Sequence, residues 1–312
     1  MRFYNIFIIV LIFFVSLFFI GCSKETETDK KSTNEVETVL QNEELVEQEE
    51  VEEEEEFIPE ESQPIDEFPW DEDGEFLKAQ EESGANVLIA GYVTVSEGYT
   101  DDERENIRLA ASMISGTVLE PGEVFSQNEI AGPYTEERGY LEGEGYVGGE
   151  VVKDFGGGVC NVATTLYNTS ILSDGEIVER HNHSMPVDYV PYGQDAAVAY
   201  GYKDYQFKND TEYPMLIWAE LVDNRLYMAF YGNEKGPEVT WEHETIGVTE
   251  TYTEYRTNPD LDEEEENVLV KGMDGKEVDS VIKIKYEDGK EKVRDLGRSS
   301  YNPLIHLIEV KE

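Results

Sequence analysis

An acidic stretch near the amino end limits what this chain can fold into. Between Ser23 and Glu82 there are 25 Asp and Glu residues against 4 Lys and no Arg, with an unbroken acidic run at Glu52–Glu56. Such a segment has too little apolar surface to offset its ordering entropy, and its like charges repel one another. We therefore predict that residues 22–82 form a disordered tether. A solvated spacer is the predicted role, and a cation-binding or protein-docking tail is the alternative.

The residues before this stretch carry a targeting pattern. Arg2 supplies a positive charge, and Ile6–Ile20 is an almost unbroken apolar run that is short for a membrane span. Gly21 and Cys22 follow directly, and a small residue before Cys resembles a bacterial lipobox. On this interpretation residues 1–21 are a lipoprotein signal peptide, and acyl chains on Cys22 hold the protein on the extracytoplasmic face of the cell membrane. The alternative is an uncleaved anchor helix in which Cys22 is incidental.

The remaining chain, from Ser83 onward, is long enough for one large domain or two smaller ones. It carries 45 acidic against 19 basic residues. This balance argues against nucleic acid as a partner, because binding nucleic acid depends on neutralising phosphates. Once Cys22 is lipidated, one thiol remains, so no disulfide framework is expected. We divide this part into a domain over residues 83–233 and a small all-β module over residues 234–312.

Local patterns in the first domain mix strands and helices. Asn86–Val95 is strand-like, and Thr100 with Glu103 three residues later forms a capping box that starts a helix. Further along, Glu176–Val187 alternates as a strand, and Ala196–Tyr200 is a second strand-like run. These patterns predict the α+β class, with helices packed on antiparallel strands.

Three glycines followed by a cysteine form the most informative motif. Gly156, Gly157 and Gly158 permit a sharp turn, and the residues after them are predicted to form a helix with Cys160 in its first turn. Unpaired N–H groups and the helix dipole favour a thiolate at that position. The predicted domain is therefore a mixed α+β fold in which this Cys-bearing helix packs on antiparallel strands.

Histidine and aspartate follow the cysteine in the order of a thiol triad. In the predicted strand, His181 and His183 share one face, and Asp195 follows a turn. Cys160 would then be the nucleophile, His183 or His181 the base, and Asp195 the residue that orients it, with no metal or cofactor. Two alternatives stay open. Cys160 is a small buried residue with a structural role, or Cys160, His181 and His183 bind zinc.

Several separated motifs resemble the VanW family. In chain order they are Asn106–Ala111, Leu119–Asn128, Gly156–Cys160, Thr164–Asn168, Glu179–Ser184, Tyr189–Pro191, Gly193–Ala196 and Phe207–Asn209. The resemblance covers roughly Asn86–Gly232 and implies a surface protein of cell-wall and glycopeptide-resistance contexts. It implies no particular reaction. The chain departs from the family pattern at Asn161, where Gln is usual, and at Ala197, where Thr is usual.

The resemblance and the triad order together give the candidate site. The candidate catalytic residues are Cys160, His183, Asp195 and His181, and the candidate binding residues are Gly156, Gly157, Gly158, Asn161, Arg180 and Asn128. The implied partner is peptidoglycan or its precursors. Either a thiol hydrolase or transpeptidase acts on the stem peptides, or the same cleft binds without turnover. In the binding version Tyr134, Tyr140 and Tyr146 stack on sugar or peptide.

The C-terminal module resembles, more weakly, the five-glycine domain that often follows a VanW domain. The matching features are Lys271, Gly272, Gly275, the strand run Val281–Tyr286, Gly289 and Tyr301. This resemblance implies a wall-binding module for N-acetylglucosamine polymers. A plain β-extension with no ligand is the alternative.

Overall fold

The computed structural model describes residues 60–147 and 150–311. The signal-like segment, Cys22 and the acidic residues before residue 60 lie outside the described residues.

In chain order, the first part contains β1 (Gln63–Pro64), α1 (Gly74–Ser83), β2 (Val87–Val95), α2 (Asp101–Ile114), β3 (Thr117–Leu119), β4 (Val124–Ser126), α3 (Gln127–Ile130), a 3₁₀ turn (Glu136–Arg138), β5 (Glu142–Val147), β6 (Glu150–Phe155), α4 (Val159–Leu172), β7 (Glu176–Glu179), β8 (Gln206–Lys208), β9 (Met215–Val222) and β10 (Arg225–Gly232). The last part contains β11 (Glu238–Thr249), β12 (Thr253–Thr257), β13 (Glu266–Val270), β14 (Gly275–Lys285), β15 (Glu291–Ser300) and β16 (His306–Val310). Within these ranges, no helix is both long enough and apolar enough to cross a membrane.

The centre of the first part is an antiparallel sheet with the strand order β1-β2-β10-β9-β3. Strand β2 confirms the strand predicted at Asn86–Val95 to within one residue. Alternate side chains of β10 enter two cores, with Leu226, Met228 and Phe230 on one face and Tyr227, Ala229 and Tyr231 on the other. Helices α2 and α4 cover the first face, and α1 covers the second. The chain therefore has the α+β architecture that the sequence predicts.

Helix α2 begins at the predicted capping box. The backbone N–H of Thr100 donates to Oε2 of Glu103 at 2.8 Å, and Oγ1 of Thr100 accepts the Glu103 N–H at 3.3 Å. The apolar side of the helix, which includes Ile107 and Ile114, is buried against the sheet and α4. This packing fixes the surface against which the start of α4 lies.

Residues 60–83 are folded, so the predicted disorder of the acidic stretch is wrong over its last part. Trp70 is 1% exposed and donates its Nε1–H to Oη of Tyr231 at 3.0 Å. Phe68 stacks on Trp70 with ring centroids 4.9 Å apart, and Phe76 of α1 is also buried. The average composition of the stretch conceals these three aromatic side chains, whose burial offsets the ordering entropy. The first folded domain therefore begins before the predicted boundary.

The region after α4 is less regular than the sequence predicts. Strand β7 ends at Glu179, so the predicted strand Glu176–Val187 is wrong beyond that residue. The run Ala196–Tyr200 is irregular apart from an isolated bridge, so the second predicted strand is also wrong. Backbone groups here bond to side chains instead, as when the His183 N–H donates to Oδ2 of Asp195 at 2.7 Å.

The last part of the chain is all β. Strands β11, β14 and β15 form an antiparallel sheet, and β12, β16 and β13 form a second sheet in which β12 and β16 run parallel. The predicted strand run Val281–Tyr286 lies almost wholly in β14, whose alternate side chains are buried. Ile282 and Ile284 join the core of the first domain, and Trp241 packs edge-on against Tyr167. The module and the domain before it thus share a continuous core.

Candidate thiol site

The glycine turn brings the start of α4 close to α2. Gly156 and Gly158 have φ of +83° and +95°, a backbone region that favours glycine. A Cβ on Gly158 would lie 3.0 Å from the backbone oxygen of Glu103 in α2. The oxygen of Gly157 accepts a hydrogen bond from Nδ2 of Asn106 at 3.0 Å. The three glycines predicted as binding residues therefore form the turn that places α4.

Cys160 is the second residue of α4 and is partly exposed. Its Sγ accepts the Val198 N–H at 3.4 Å and lies 3.6 Å from the Val198 oxygen. The imidazole of His183 is close enough to the thiol to act on its pKa. Burial opposes ionisation, but the hydrogen bond and charge of His183, the Val198 backbone and the charge of Lys203 outweigh it. The pKa of Cys160 is therefore lowered from its ordinary value.

His183 lies between Cys160 and Asp195. Its Nδ1 is 2.6 Å from Oδ2 of Asp195, which leaves Nε2 for the thiol. Burial acts to lower the pKa of His183, but the hydrogen bonds and charges of Asp195 and Cys160 outweigh burial and raise it to about 9. The lowered pKa of the thiol and the raised pKa of the imidazole both favour the form of the pair in which Cys160 is a thiolate and His183 an imidazolium.

Asp195 is 1% exposed, and both oxygens of its carboxylate accept hydrogen bonds. Oδ2 accepts from His183, while Oδ1 accepts from Nη2 of Arg180 at 3.0 Å and from Oη of Tyr301 at 2.5 Å. Burial acts to raise the pKa of Asp195, but the bonds and charge of His183 and the charge of Arg180 lower it overall. The carboxylate therefore stays ionised and orients the imidazole.

His181 lies outside this triad. Its Nε2 is 2.9 Å from Oε1 of Glu179, and the same oxygen accepts the Asp204 N–H at 3.0 Å. The predicted strand would have placed both histidines on one face. Because the backbone is irregular here, His181 instead pairs with Glu179 and His183 with Asp195. Among the residues that the structure describes, no three His, Cys, Asp or Glu side chains are arranged to hold a metal ion. The zinc ligand set of Cys160, His181 and His183 is therefore not assembled.

Arg180 and Asn161 serve the fold rather than an open ligand site. Nε of Arg180 donates to the backbone oxygen of Asp195 at 2.8 Å, in addition to the bond to its carboxylate. Asn161 is 1% exposed, and its side chain bonds Oγ1 of Thr94 at 2.8 Å and Oγ of Ser96 at 2.6 Å. Asn161 thus joins α4 to the end of β2, and its amide is not available as a donor to a ligand.

The remaining predicted binding residues lie at the edge of the site. Asn128 donates to the Lys203 backbone oxygen at 2.8 Å and accepts from Oη of Tyr134 at 3.0 Å. Of the tyrosines predicted to stack on a ligand, Tyr134 is partly buried, whereas Tyr140 is fully buried and belongs to the core. The prediction for Tyr140 is therefore wrong. The side chain of Tyr146 lies outside the described part of the structure.

Two further tyrosines near the thiol escaped the sequence analysis. Tyr99 and Tyr189 are partly exposed, and their ring centroids lie 6.3 Å apart. Burial is the main cause that raises the pKa of each hydroxyl, and the charge of the nearby Cys160 adds to it. Tyr189 could have been identified from the sequence, because it belongs to one of the family motifs. Tyr99 lies in no such motif and directly precedes the N-cap residue of α2.

A cysteine at a helix start, near a histidine that a buried aspartate orients, has the residue types and the chain order of a thiol triad. Comparison with known families shows a more specific likeness for part of the chain. Residues 102–231 match the family model described as VanW like protein. The chain therefore contains a VanW-family domain, which confirms the resemblance that the motifs predict.

Two curated relatives share this domain. YoaR of Bacillus subtilis (strain 168), whose function is uncharacterised, is 35% identical over 146 residues, which are 47% of this chain and 48% of that protein. The vancomycin B-type resistance protein VanW of Enterococcus faecalis (strain ATCC 700802 / V583) is 25% identical over 149 residues, 46% of this chain and 54% of that protein. The matched part thus spans about half the length of each relative.

Solved G5 domains show a local likeness. The G5 domain of IgA1 protease is 26% identical with a TM-score of 0.16, covering 26% of this chain and 94% of that structure. The G5 domain of HP0197 is 18% identical with a TM-score of 0.14, covering 24% of this chain and 99% of that structure. Likenesses at these TM-scores do not establish a common fold.

Proposed function

We propose that this chain is a cell-surface thiol enzyme that hydrolyses or transfers amide bonds in the stem peptides of peptidoglycan. The observation that carries the proposal is the arrangement of Cys160, His183 and Asp195, with a lowered thiol pKa and a raised imidazole pKa. The relation to a vancomycin resistance protein supports the cell wall as the place of the substrate.

The proposed reaction has two steps. The Cys160 thiolate attacks an amide carbonyl, the imidazolium of His183 gives its proton to the leaving amine, and a thioester remains on Cys160. His183 then takes a proton from water, or from the amine of a second peptide, as that group attacks the thioester and releases the thiolate. Asp195 stays ionised and holds the imidazole throughout. Water gives hydrolysis, and an amine gives transpeptidation.

The amino end supports a location at the membrane surface. The apolar run Ile6–Ile20 followed by Gly21 and Cys22 has the order of a lipoprotein signal. Acyl chains on Cys22 would anchor the protein, and the acidic residues before residue 60 would separate the folded part from the membrane. This placement brings the thiol site within reach of the cell wall.

Turnover of purified stem peptides tests the proposal directly. Full-length protein is incubated with muropeptides, and the products are identified by mass spectrometry as water-added fragments or as joined peptides. The variants Cys160→Ser and His183→Gln should lose about a hundredfold or more of the rate. His181→Gln is the matched control, because its ring pairs with Glu179 and should leave the rate within about twofold. Equal loss in both histidine variants, or product formation by Cys160→Ser, contradicts the proposed chemistry.

Binding without turnover is the second candidate function. The observation that favours it is the group of partly buried rings near the thiol, namely Tyr99, Tyr134 and Tyr189. Aromatic faces of this kind bind sugar or peptide with no chemical step. In that case Cys160→Ser binds purified sacculi as tightly as the parent protein does, and neither releases products.

A further inference from the structure

We propose that the C-terminal module completes the thiol site, with Tyr301 as a positioning residue that holds Asp195 in the orientation His183 requires. The inference rests on the proposed function, since it assigns a role within the same site. Tyr301 lies beyond residues 102–231, so the VanW-family domain alone does not contain it. The consequence is that the module is part of the reactive site as well as part of the fold.

The Tyr301 hydroxyl lies between two groups of the first domain. It donates to Oδ1 of Asp195 at 2.5 Å and accepts the Gly193 N–H at 2.8 Å. Tyr301 is 6% exposed, and its ring packs edge-on against Tyr192 with centroids 5.3 Å apart. With its ring packed and its hydroxyl bonded on both sides, Tyr301 cannot turn away without leaving the buried Gly193 N–H unpaired and removing one of the two donors to Oδ1 of Asp195.

The residues around Tyr301 hold the chain segment that carries His183. Bonds of 2.8 Å join the module residues Ser299, Ser300 and Asn302 to Arg180, Asn182 and Ser184 respectively. The module therefore contacts the histidine segment on both sides of His183, in addition to the direct contact with Asp195.

The carboxylate of Asp195 shows why this contact matters. Oδ2 accepts hydrogen bonds from His183, so the orientation of the carboxylate depends on the donors to Oδ1. The two donors to Oδ1 are Tyr301 of the module and Arg180, and Nη1 of Arg180 is itself bonded to Oγ of Ser299 in the module. Because Asp195 is buried, water cannot replace a lost donor easily. Without the Tyr301 hydroxyl, the carboxylate is freer to turn from His183, so the imidazolium and the thiolate it supports lose stabilisation.

The test measures how the alkylation rate of Cys160 depends on pH in the full-length protein. Iodoacetamide is the probe, and modification is followed at the Cys160 peptide by mass spectrometry so that Cys22 does not interfere. In the parent the midpoint of the rise in rate with pH should lie below ~8.5, the pKa of a free thiol. In Tyr301→Phe the rise should move up by about half a unit or more, with the rate at pH 7 reduced about threefold or more.

Tyr192→Phe is the matched control for this experiment. Its hydroxyl donates to the backbone oxygen of Asp274 at 2.7 Å and does not bond Asp195, so its profile should follow the parent. Thermal melting of both variants shows whether they are folded. If Tyr301→Phe does not fold, Ser299→Ala replaces it, because it frees Arg180 and should shift the profile upward by a smaller amount.

The outcomes separate this inference from the function on which it rests. A parent profile below that of a free thiol, with the Tyr301→Phe profile unchanged or moved to lower pH, overturns the positioning role and leaves the thiol enzyme standing. A parent thiol that titrates as a free cysteine overturns both. When Ser299→Ala has to be used, a profile that coincides with the parent's overturns the inference in the same way.

Discussion

Nδ1 of His183 lies 2.6 Å from Oδ2 of Asp195, and the same oxygen accepts the backbone N–H of His183 at 2.7 Å. Two bonds from one residue to one carboxylate oxygen fix both the ring and the backbone of the base. The second ring nitrogen is thereby left for the Cys160 thiol. The relationship distinguishes His183 from His181, which the sequence left open as an alternative base.

The titration of His183 should depend on Cys160. The thiolate is one of the two partners that raise the pKa of His183 to about 9. In Cys160→Ser a neutral hydroxyl replaces it, so the pKa of His183 should fall and the imidazole should lose its proton at lower pH. Ring-proton chemical shifts measured against pH report this directly. His243, whose pKa is lowered by burial in the module, should not move and serves as the internal control. An unchanged His183 titration would mean that no thiolate faces it.

Trp70 should contribute to the stability of the folded domain. Trp70→Ala removes a fully buried side chain and should lower the free energy of unfolding by about 3–5 kcal/mol. Leu77→Ala in the neighbouring helix α1 is the control, because Leu77 is 48% exposed and should cost about 0.5 kcal/mol or less. Urea unfolding curves measure both. Equal and negligible costs would show that the acidic stretch is unfolded through this region, as its composition predicts.

The glycine turn before Cys160 should tolerate no side chain. Gly158 and Gly201 both have positive φ, so alanine at either position costs about 1 kcal/mol in backbone strain. At Gly158 the added Cβ would also press on the Glu103 backbone, whereas at Gly201 nothing lies within 4 Å. Gly158→Ala should therefore be the more destabilising variant by about 1–2 kcal/mol, measured by urea unfolding, and should slow Cys160 alkylation. Equal costs at the two positions would remove the close approach of α4 to α2 as an explanation for this glycine.

The proposed lipid anchor predicts a defined mature amino end. The protein expressed in its native type of host should begin at Cys22 and carry acyl chains there, and it should partition into detergent. Mass spectrometry of the amino-terminal peptide checks this. Cys22→Ser is the control, since it should leave the signal uncleaved at this position and unmodified by lipid. An intact Met1, or an unmodified Cys22 in the parent, contradicts the anchor.

Local patterns in the sequence single out Cys160 and Asp195 as candidate site residues. A glycine turn and a helix start mark the cysteine, and a Pro-Tyr-Gly turn precedes the aspartate. The choice between His181 and His183 was not predictable. Strand periodicity places both on one face, but the chain leaves strand geometry after Glu179 to bond with Asp195.

Contacts that join distant parts of the chain could not be predicted in the same way. Tyr301 bonds Asp195 across a separation of 106 residues, and in the sequence it was a feature of the wall-binding resemblance only. The prediction of disorder for the acidic stretch was wrong for a different reason. It rested on average composition, which carries no information on where Phe68 and Trp70 lie in the sequence. Both errors concern tertiary packing, on which local patterns carry little information.

The most direct test of the central claim is the alkylation rate of Cys160 at pH 6.5, compared between the native protein and the protein unfolded in urea. The thiolate–imidazolium pair predicts that the native thiol reacts about tenfold faster or more, because an unperturbed thiol is almost wholly protonated at that pH. A chelator should leave the native rate unchanged. A thiol that is inert until the protein is unfolded would identify Cys160 as a structural residue, and a native rate that rises only with chelator would identify it as a metal ligand. Either result contradicts the thiol-enzyme account.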